Sequence, residues 1–245
     1  MNVVGIGGLY IACPEPRRVR DWYRRHLGLR FSDDGGARFA WTHPDTGTVA
    51  VSELDFLERD SSRFDPGRQP FVIRYLAPDL ASAPEPLRGH DWILDPDGGK
   101  AEFAPLASAS KPAAEHGAVE GIGGVFFRSP DPAASKAWYA GLGIRPGPDG
   151  YVTFPAESGG GVETVTVWEV FPADTTYFDS RGESSPHPFM LNLRVGSLDG
   201  LVEALEARGV WVDPKREAYE YGKFAWILDP LGARVELWEP APAAS

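Results

Sequence analysis

Gly5-Ile6-Gly7-Gly8-Leu9-Tyr10-Ile11 recurs as Gly121-Ile122-Gly123-Gly124-Val125-Phe126-Phe127, and this recurrence decides how the chain is built. A long-period repeat takes precedence over local patterns because it sets the size of the folding unit. Outward from the glycines, Pro14-Glu15-Pro16 answers to Pro130-Asp131-Pro132, Trp22-Tyr23 to Trp138-Tyr139, and Leu27-Gly28 to Leu142-Gly143. Further on, Pro70-Phe71 corresponds to Pro188-Phe189, Trp92-Ile93-Leu94-Asp95-Pro96 to Trp226-Ile227-Leu228-Asp229-Pro230, and Glu102 to Glu236. The 245 residues therefore divide into two units of ordinary domain size. They are expected at 1–106 and 118–242, joined by a linker at 107–117 whose small and polar residues carry no apolar period.

Local patterns place the same elements in both copies. Residues 3–11 read as a strand, and Pro16 opens a helix whose Val19, Trp22, Tyr23 and Leu27 follow the 3.6-residue period, with Gly28 and Gly143 as stops. β-Branched and aromatic residues predict strands at 37–42, 48–54, 151–154 and 163–170, paired antiparallel within each copy. In the second copy a strand at 189–195 precedes a helix with Leu198, Leu201, Val202 and Leu205 on one face, ended by Gly209. The matching stretch of the first copy, 79–87, is short and broken by Pro84 and Pro86, so its second half-module is degenerate.

Composition narrows the function classes. Hydrophobic residues at 42% supply a core for each half. A net charge of −11 without a basic run argues against a nucleic-acid partner. No stretch of about twenty apolar residues is available to cross a bilayer, and residues 1–8 lack a basic leader, so a soluble cytoplasmic protein is expected. Cys13 is the sole cysteine, which excludes an internal disulfide, and its apolar surroundings read as a small buried thiol. The arginines at 17, 18, 20, 24 and 25 read as a solvated helix face. The Gly5-Ile6-Gly7-Gly8 run lacks the strand-then-helix setting of a nucleotide loop.

A strand–helix–strands unit occurring twice per copy, a Trp-Tyr followed by Leu-Gly on the first helix, and an Asp-Pro-x-Gly turn leading to a strand with a glutamate together resemble the vicinal oxygen chelate superfamily, which includes glyoxalases, bleomycin-resistance proteins and dioxygenases. The resemblance covers nearly the whole chain. It implies an α+β fold of two tandem domains, each made of paired βαβββ modules forming a cup-shaped, curved mixed sheet. In metal-dependent members of the superfamily, two histidines and a glutamate hold a divalent cation in the cup. The histidine positions fall here at Gly8 and Gly124 and near Val72 and Met190, and only the carboxylates Glu102 and Glu236 match. No cofactor is therefore expected, with a divalent metal as the alternative.

The five histidines do not rebuild a ligand set by their placement: His26, His43 and His116 read as surface residues, while His90 and His187 lie nearer the cup. Glu236 is the candidate general base, because a carboxylate in an apolar concavity has a raised pKa; Glu102 is the weaker candidate. Asn192 and Arg194 share one face of a strand and either grip a substrate or are merely solvated. Tyr219, Tyr221, Lys223 and Trp226 form either a stacking wall or an aromatic cross-strand ladder, and His187 completes the candidate substrate-binding set. The expected function is a glyoxalase-like, metal-independent protein that acts on a small oxygenated or aromatic metabolite by isomerase- or lyase-type proton transfer. Sequestration without catalysis and a metal-dependent dioxygenase or glyoxalase-type lyase are the alternatives. A monomer or weak homodimer is expected.

Overall fold

The computed structural model describes residues 1–33, 35–109, 117–148, 150–158 and 162–242. The first copy contributes β1 (Gly5–Cys13), α1 (Pro16–Leu27), β2 (Ala37–Thr42), β3 (Val49–Glu58), β4 (Phe71–Ala77), β5 (Trp92–Leu94) and β6 (Lys100–Pro105). The second contributes β7 (Val119–Ser129), α2 (Pro132–Gly141), β8 (Val152–Ser158), β9 (Val162–Pro172), β10 (Phe189–Val195), α3 (Leu198–Ala207), β11 (Val212–Tyr219), β12 (Gly222–Leu228) and β13 (Arg234–Pro240). The fullest module is βαβββ, running from β10 through α3 to β13. In the first copy two short 3-10 turns at Leu80–Ser82 and Glu85–Leu87 stand where α3 stands in the second, because Pro84 and Pro86 interrupt any longer helix.

All strands join one mixed sheet in the order β11-β12-β13-β10-β7-β9-β8-β2-β3-β1-β4-β6-β5. Each copy repeats one pattern: its first strand pairs parallel with its third and antiparallel with the strand opening its second module, β1 with β3 and β4, β7 with β9 and β10. A bridge between Thr42 and Glu157 joins the two copies edge to edge. β1 slips register at Gly7 and β7 at Gly123, so the repeated glycines mark equivalent bulges. Their missing side chains make room: a Cβ at Gly121 would lie 2.6 Å from the Arg194 guanidinium, and one at Gly123 would collide with the Asn192 amide.

Helix α1 buries Pro16, Val19, Tyr23 and Leu27 and ends at Gly28, whose φ of 71° is left-handed and whose N–H donates to Arg24 O. Its last-turn Arg24, Arg25 and His26 complement the negative end of the helix dipole. The helices pack reciprocally across the repeat. Tyr23 on α1 donates to Asp229 Oδ2 at 3.1 Å in the second copy, and Tyr139 on α2 donates to Asp95 Oδ2 at 2.9 Å in the first. Trp168 Nε1 donates to Tyr75 Oη at 2.8 Å, again between copies. One core therefore spans both halves, from Ile11, Phe56 and Ile73 to Phe127, Trp168 and Leu193. Cys13 is fully buried and its thiol is pushed up to about 11 by desolvation. No helix among the described residues is long and apolar enough to cross a membrane.

Candidate functional site

Alternation along β10 and β13 builds the floor of the second cup. Leu191, Leu193, Val235 and Leu237 face the helix-side core, which turns Met190, Asn192, Arg194, Arg234, Glu236 and Trp238 to the opposite face. Asn192 and Glu236 are register partners on adjacent parallel strands. Glu236 is 2% exposed. Its Oε1 accepts from Asn192 Nδ2 at 2.5 Å, and its Oε2 accepts from Trp226 Nε1 at 2.8 Å and from the Tyr177 hydroxyl. Burial raises the Glu236 pKa, against the pull of these three donors. Burial and the facing carboxylate likewise raise that of Tyr177. Asn192 Oδ1 is buried without a partner.

Tyr177 and Phe178 come from the segment between β9 and β10, which folds into the cup. The Tyr177 ring stacks on Phe171 at 5.3 Å and 9°, and meets Trp226 edge-on at 6.5 Å. Phe178, Met190 and Trp226 are each 0% exposed, so this apolar cluster closes over the carboxylate. Arginines hold the segment down. Arg128 donates to Thr175 O, Asp179 Oδ1 and Ser185 O, and Arg234 to Tyr177 O and Asp179 O.

The first cup repeats this arrangement with different chemistry. Phe64 plugs it beside Tyr10 and Val72. Glu102 is gripped by Arg63 at 2.6 Å and Arg74 at 3.1 Å, with Lys100 3.9 Å away. The Arg63 guanidinium lies 3.3 Å from the centre of the Tyr10 ring, and the Tyr10 hydroxyl donates to Glu53 Oε2 at 2.8 Å. Glu102 is thus a salt-bridged carboxylate, not an available base.

The sequence candidates separate on this geometry. Glu236, Asn192 and Trp226 converge in the second cup. Arg194 is buried on the same face and donates to Thr164 Oγ1 at 3.0 Å, and desolvation lowers its pKa, so the solvated alternative for Asn192 and Arg194 is corrected. Lys223 is corrected out of the site: it pairs with Asp199 and Glu239 at the surface. Tyr219 and Tyr221 stack on each other at 5.1 Å at the tip of the β11–β12 hairpin, half exposed, and do not touch Glu236. His187 also lies elsewhere, with Nε2 3.0 Å from Leu231 O. Two histidines expected at the surface are not: His43 is buried and His26 half-buried; His116 lies outside the described residues.

Tyr177, Phe178, Arg63, Phe64 and Arg74 were not anticipated. A signal existed: Asp60-Ser61-Ser62-Arg63-Phe64-Asp65 in the first copy matches Asp174-Thr175-Thr176-Tyr177-Phe178-Asp179 in the second.

No protein-family model and no curated protein matches the sequence. Solved structures do. A catechol 2,3-dioxygenase superposes with TM-score 0.59 at 15% identity, covering 100% of this chain and 96% of that one. A Mn(II)-bound glyoxalase from Novosphingobium aromaticivorans gives 0.57 at 15% identity over 97% and 82%. A homoprotocatechuate 2,3-dioxygenase from Arthrobacter globiformis gives 0.56 at 16% over 97% and 80%. The chain has the vicinal oxygen chelate fold. The tandem cups and the curved mixed sheet are those of that fold.

The expectation of no cofactor is thereby corrected: the vicinal oxygen chelate fold is shared with a manganese-bound glyoxalase, and a divalent metal belongs with the fold in that protein. The side chains at the corresponding positions here do not fit such a cation. At Gly8 a Cβ would lie 2.8 Å from the Tyr10 hydroxyl, and at Gly124 2.8 Å from the tip of the Phe126 ring, so an aromatic two residues on fills the place of a ligand. Val72 and Met190 offer apolar side chains. Both oxygens of Glu236 already accept hydrogen bonds, and arginines stand at Glu102 where a cation would. Among the described residues no three His, Cys, Asp or Glu side chains cluster as a ligand set.

Proposed function

We propose that this is a small-molecule-binding protein whose second cup takes a hydroxylated aromatic compound, with Glu236 as hydrogen-bond acceptor and proton acceptor for the ligand hydroxyl. One observation carries this reading: a phenol, that of Tyr177, lies in the cup with its hydroxyl on Glu236 and its ring against Phe171 and Trp226. A ligand phenol that displaced Tyr177 would inherit a complete set of contacts: an apolar slot, a stacking partner and a carboxylate acceptor. The likeness to a catechol 2,3-dioxygenase supports a phenolic ligand class.

Glu236 then serves isomerase- or lyase-type proton transfer, because burial raises its pKa above the ordinary carboxylate value and so strengthens it as a proton acceptor. Sequestration without turnover is the second reading, favoured by the Asn192 and Trp226 donors that hold the carboxylate in its charged form.

Calorimetric titration with phenol, catechol and toluene tests the site. Tyr177→Ala should bind phenol and catechol about tenfold or more tightly than the parent protein, since the internal competitor is gone. Adding Glu236→Gln should erase the preference for phenol over toluene. Equal affinity of Tyr177→Ala for phenol and toluene, or no binding of either, overturns the reading. Product formed by Tyr177→Ala and lost with Glu236→Gln separates catalysis from sequestration.

A further inference from the structure

We infer a second ligand site, for a small aromatic carboxylate, in a cleft between the two copies on the helix side of the sheet. The cleft has a volume of about 320 Å³ and is walled by Trp22 and His26 of α1 and by Arg181, Arg208, Trp211 and Asp229 of the second copy. That volume lies at the low end of small-molecule pockets and suits a single ring with one substituent.

Charge gives the ligand its sign. The protein carries 35 acidic against 24 basic residues, yet among the described residues neither Arg181 nor Arg208 pairs with a carboxylate. Arg208 Nη1 donates only to the carbonyls of Arg25 and His26 at 3.2 and 3.4 Å. The Arg181 guanidinium lies 5.0 Å from the centre of the Trp211 ring. Unengaged guanidinium donors in a cleft match the two oxygens of a carboxylate. Asp229, the one acid in the wall, is turned inward. Its Oδ1 accepts from the N–H groups of Leu231 and Ala233 at 2.8 and 2.9 Å, and its Oδ2 from Tyr23.

Shape gives the ligand its ring. Two indoles, Trp22 and Trp211, line the cleft, and the His26 ring packs on Trp22 at 4.9 Å. Arg181 has φ 55°, an uncommon left-handed backbone for a residue with a side chain. Such conformations recur where a side chain must be held for a ligand. Trp211 and the guanidinium lying over it hold the side chain at the mouth.

Calorimetry and tryptophan fluorescence with benzoate, and with benzamide as its neutral counterpart, test this site. Benzoate should bind about tenfold or more tightly than benzamide, and Arg181→Gln with Arg208→Gln should weaken it by about tenfold or more. Arg208→Lys should restore part of the loss, and Trp211→Phe should remove much of the fluorescence change. Lys223→Ala, at a surface ion pair remote from both sites, should leave benzoate affinity as it was. Melting midpoints confirm that each variant is folded; both arginines are exposed. No binding at millimolar benzoate, equal affinity for benzamide, or an unchanged affinity in the double variant overturns the inference.

Discussion

The two cups share a skeleton and differ in how they treat one carboxylate. In the first, Glu102 is half-buried and ion-paired with Arg63 and Arg74, with Lys100 nearby. In the second, Glu236 is 2% exposed and its hydrogen bonds come from the neutral donors Tyr177, Asn192 and Trp226, with the Arg234 charge a weaker influence on the same face. Arg74 and Asn192 occupy equivalent strand positions, as do Arg63 and Tyr177 in the plugging segments. Two substitutions between copies thus convert a salt-bridged carboxylate into a desolvated one with a raised pKa. The position of an acid in a fold does not set its chemistry; its neighbours do.

Deleting each carboxylate tests that contrast most strongly. Glu236→Ala leaves three donors, two of them fully buried, without an acceptor and should cost about 3 kcal/mol or more in urea unfolding. Glu102→Ala leaves Arg63, Arg74 and Lys100, all partly buried, without their shared acid, but the two guanidinium groups reach solvent and can hydrate, so it should cost less, about 2 kcal/mol. Equal losses would mean that the floors are energetically alike.

A second contrast lies at the reciprocal helix contacts. Asp229 is raised by burial to about 6 in the folded protein from 3.8, and Asp95, half-buried in its own turn, is raised by burial as well. A raised folded pKa favours the protonated acid, so this contribution to stability is complete below the unfolded value and is lost as pH rises through about 6. The difference in unfolding free energy between the parent and Asp229→Asn should therefore drift by up to about 3 kcal/mol between pH 4 and 7, in favour of the variant at the higher pH. Asp95→Asn should drift in the same direction and by less. A flat difference for Asp229→Asn breaks the assignment. The smallest effect is expected at Lys223: Lys223→Ala should move neither the melting midpoint nor phenol affinity, since its partners are surface acids.

The repeat, the first helix and the strand at 189–195 were legible because each is written in local spacing: paired glycines, a Pro16-to-Gly28 helix, alternating Leu191 and Leu193. Glu236 was legible through its counterpart Glu102. What surrounds each carboxylate was not, because Tyr177, Asn192 and Trp226 reach it from three separate segments and nothing periodic links them. The plugging segments have no apolar period, so only the match between residues 60–65 and 174–179 could have revealed them. Lys223 and the stacked tyrosines drew attention by composition, but the tight turn before Gly222 carries them to the hairpin tip, away from the cup. His26 misled in the opposite sense: its own helix is basic and solvated, and the surface that covers it belongs to the other half of the chain.

Tyr23 to Asp229 and Tyr139 to Asp95 are the same contact made twice with the partners exchanged. Such exchange is the signature of an isologous two-fold interface between identical subunits. Here it lies within one polypeptide, so the chain is a homodimer's geometry held by a covalent tether. A true homodimer must change both of its sites together. The tether releases that constraint, and one half was free to fill its cup with arginines while the other kept its carboxylate among neutral donors.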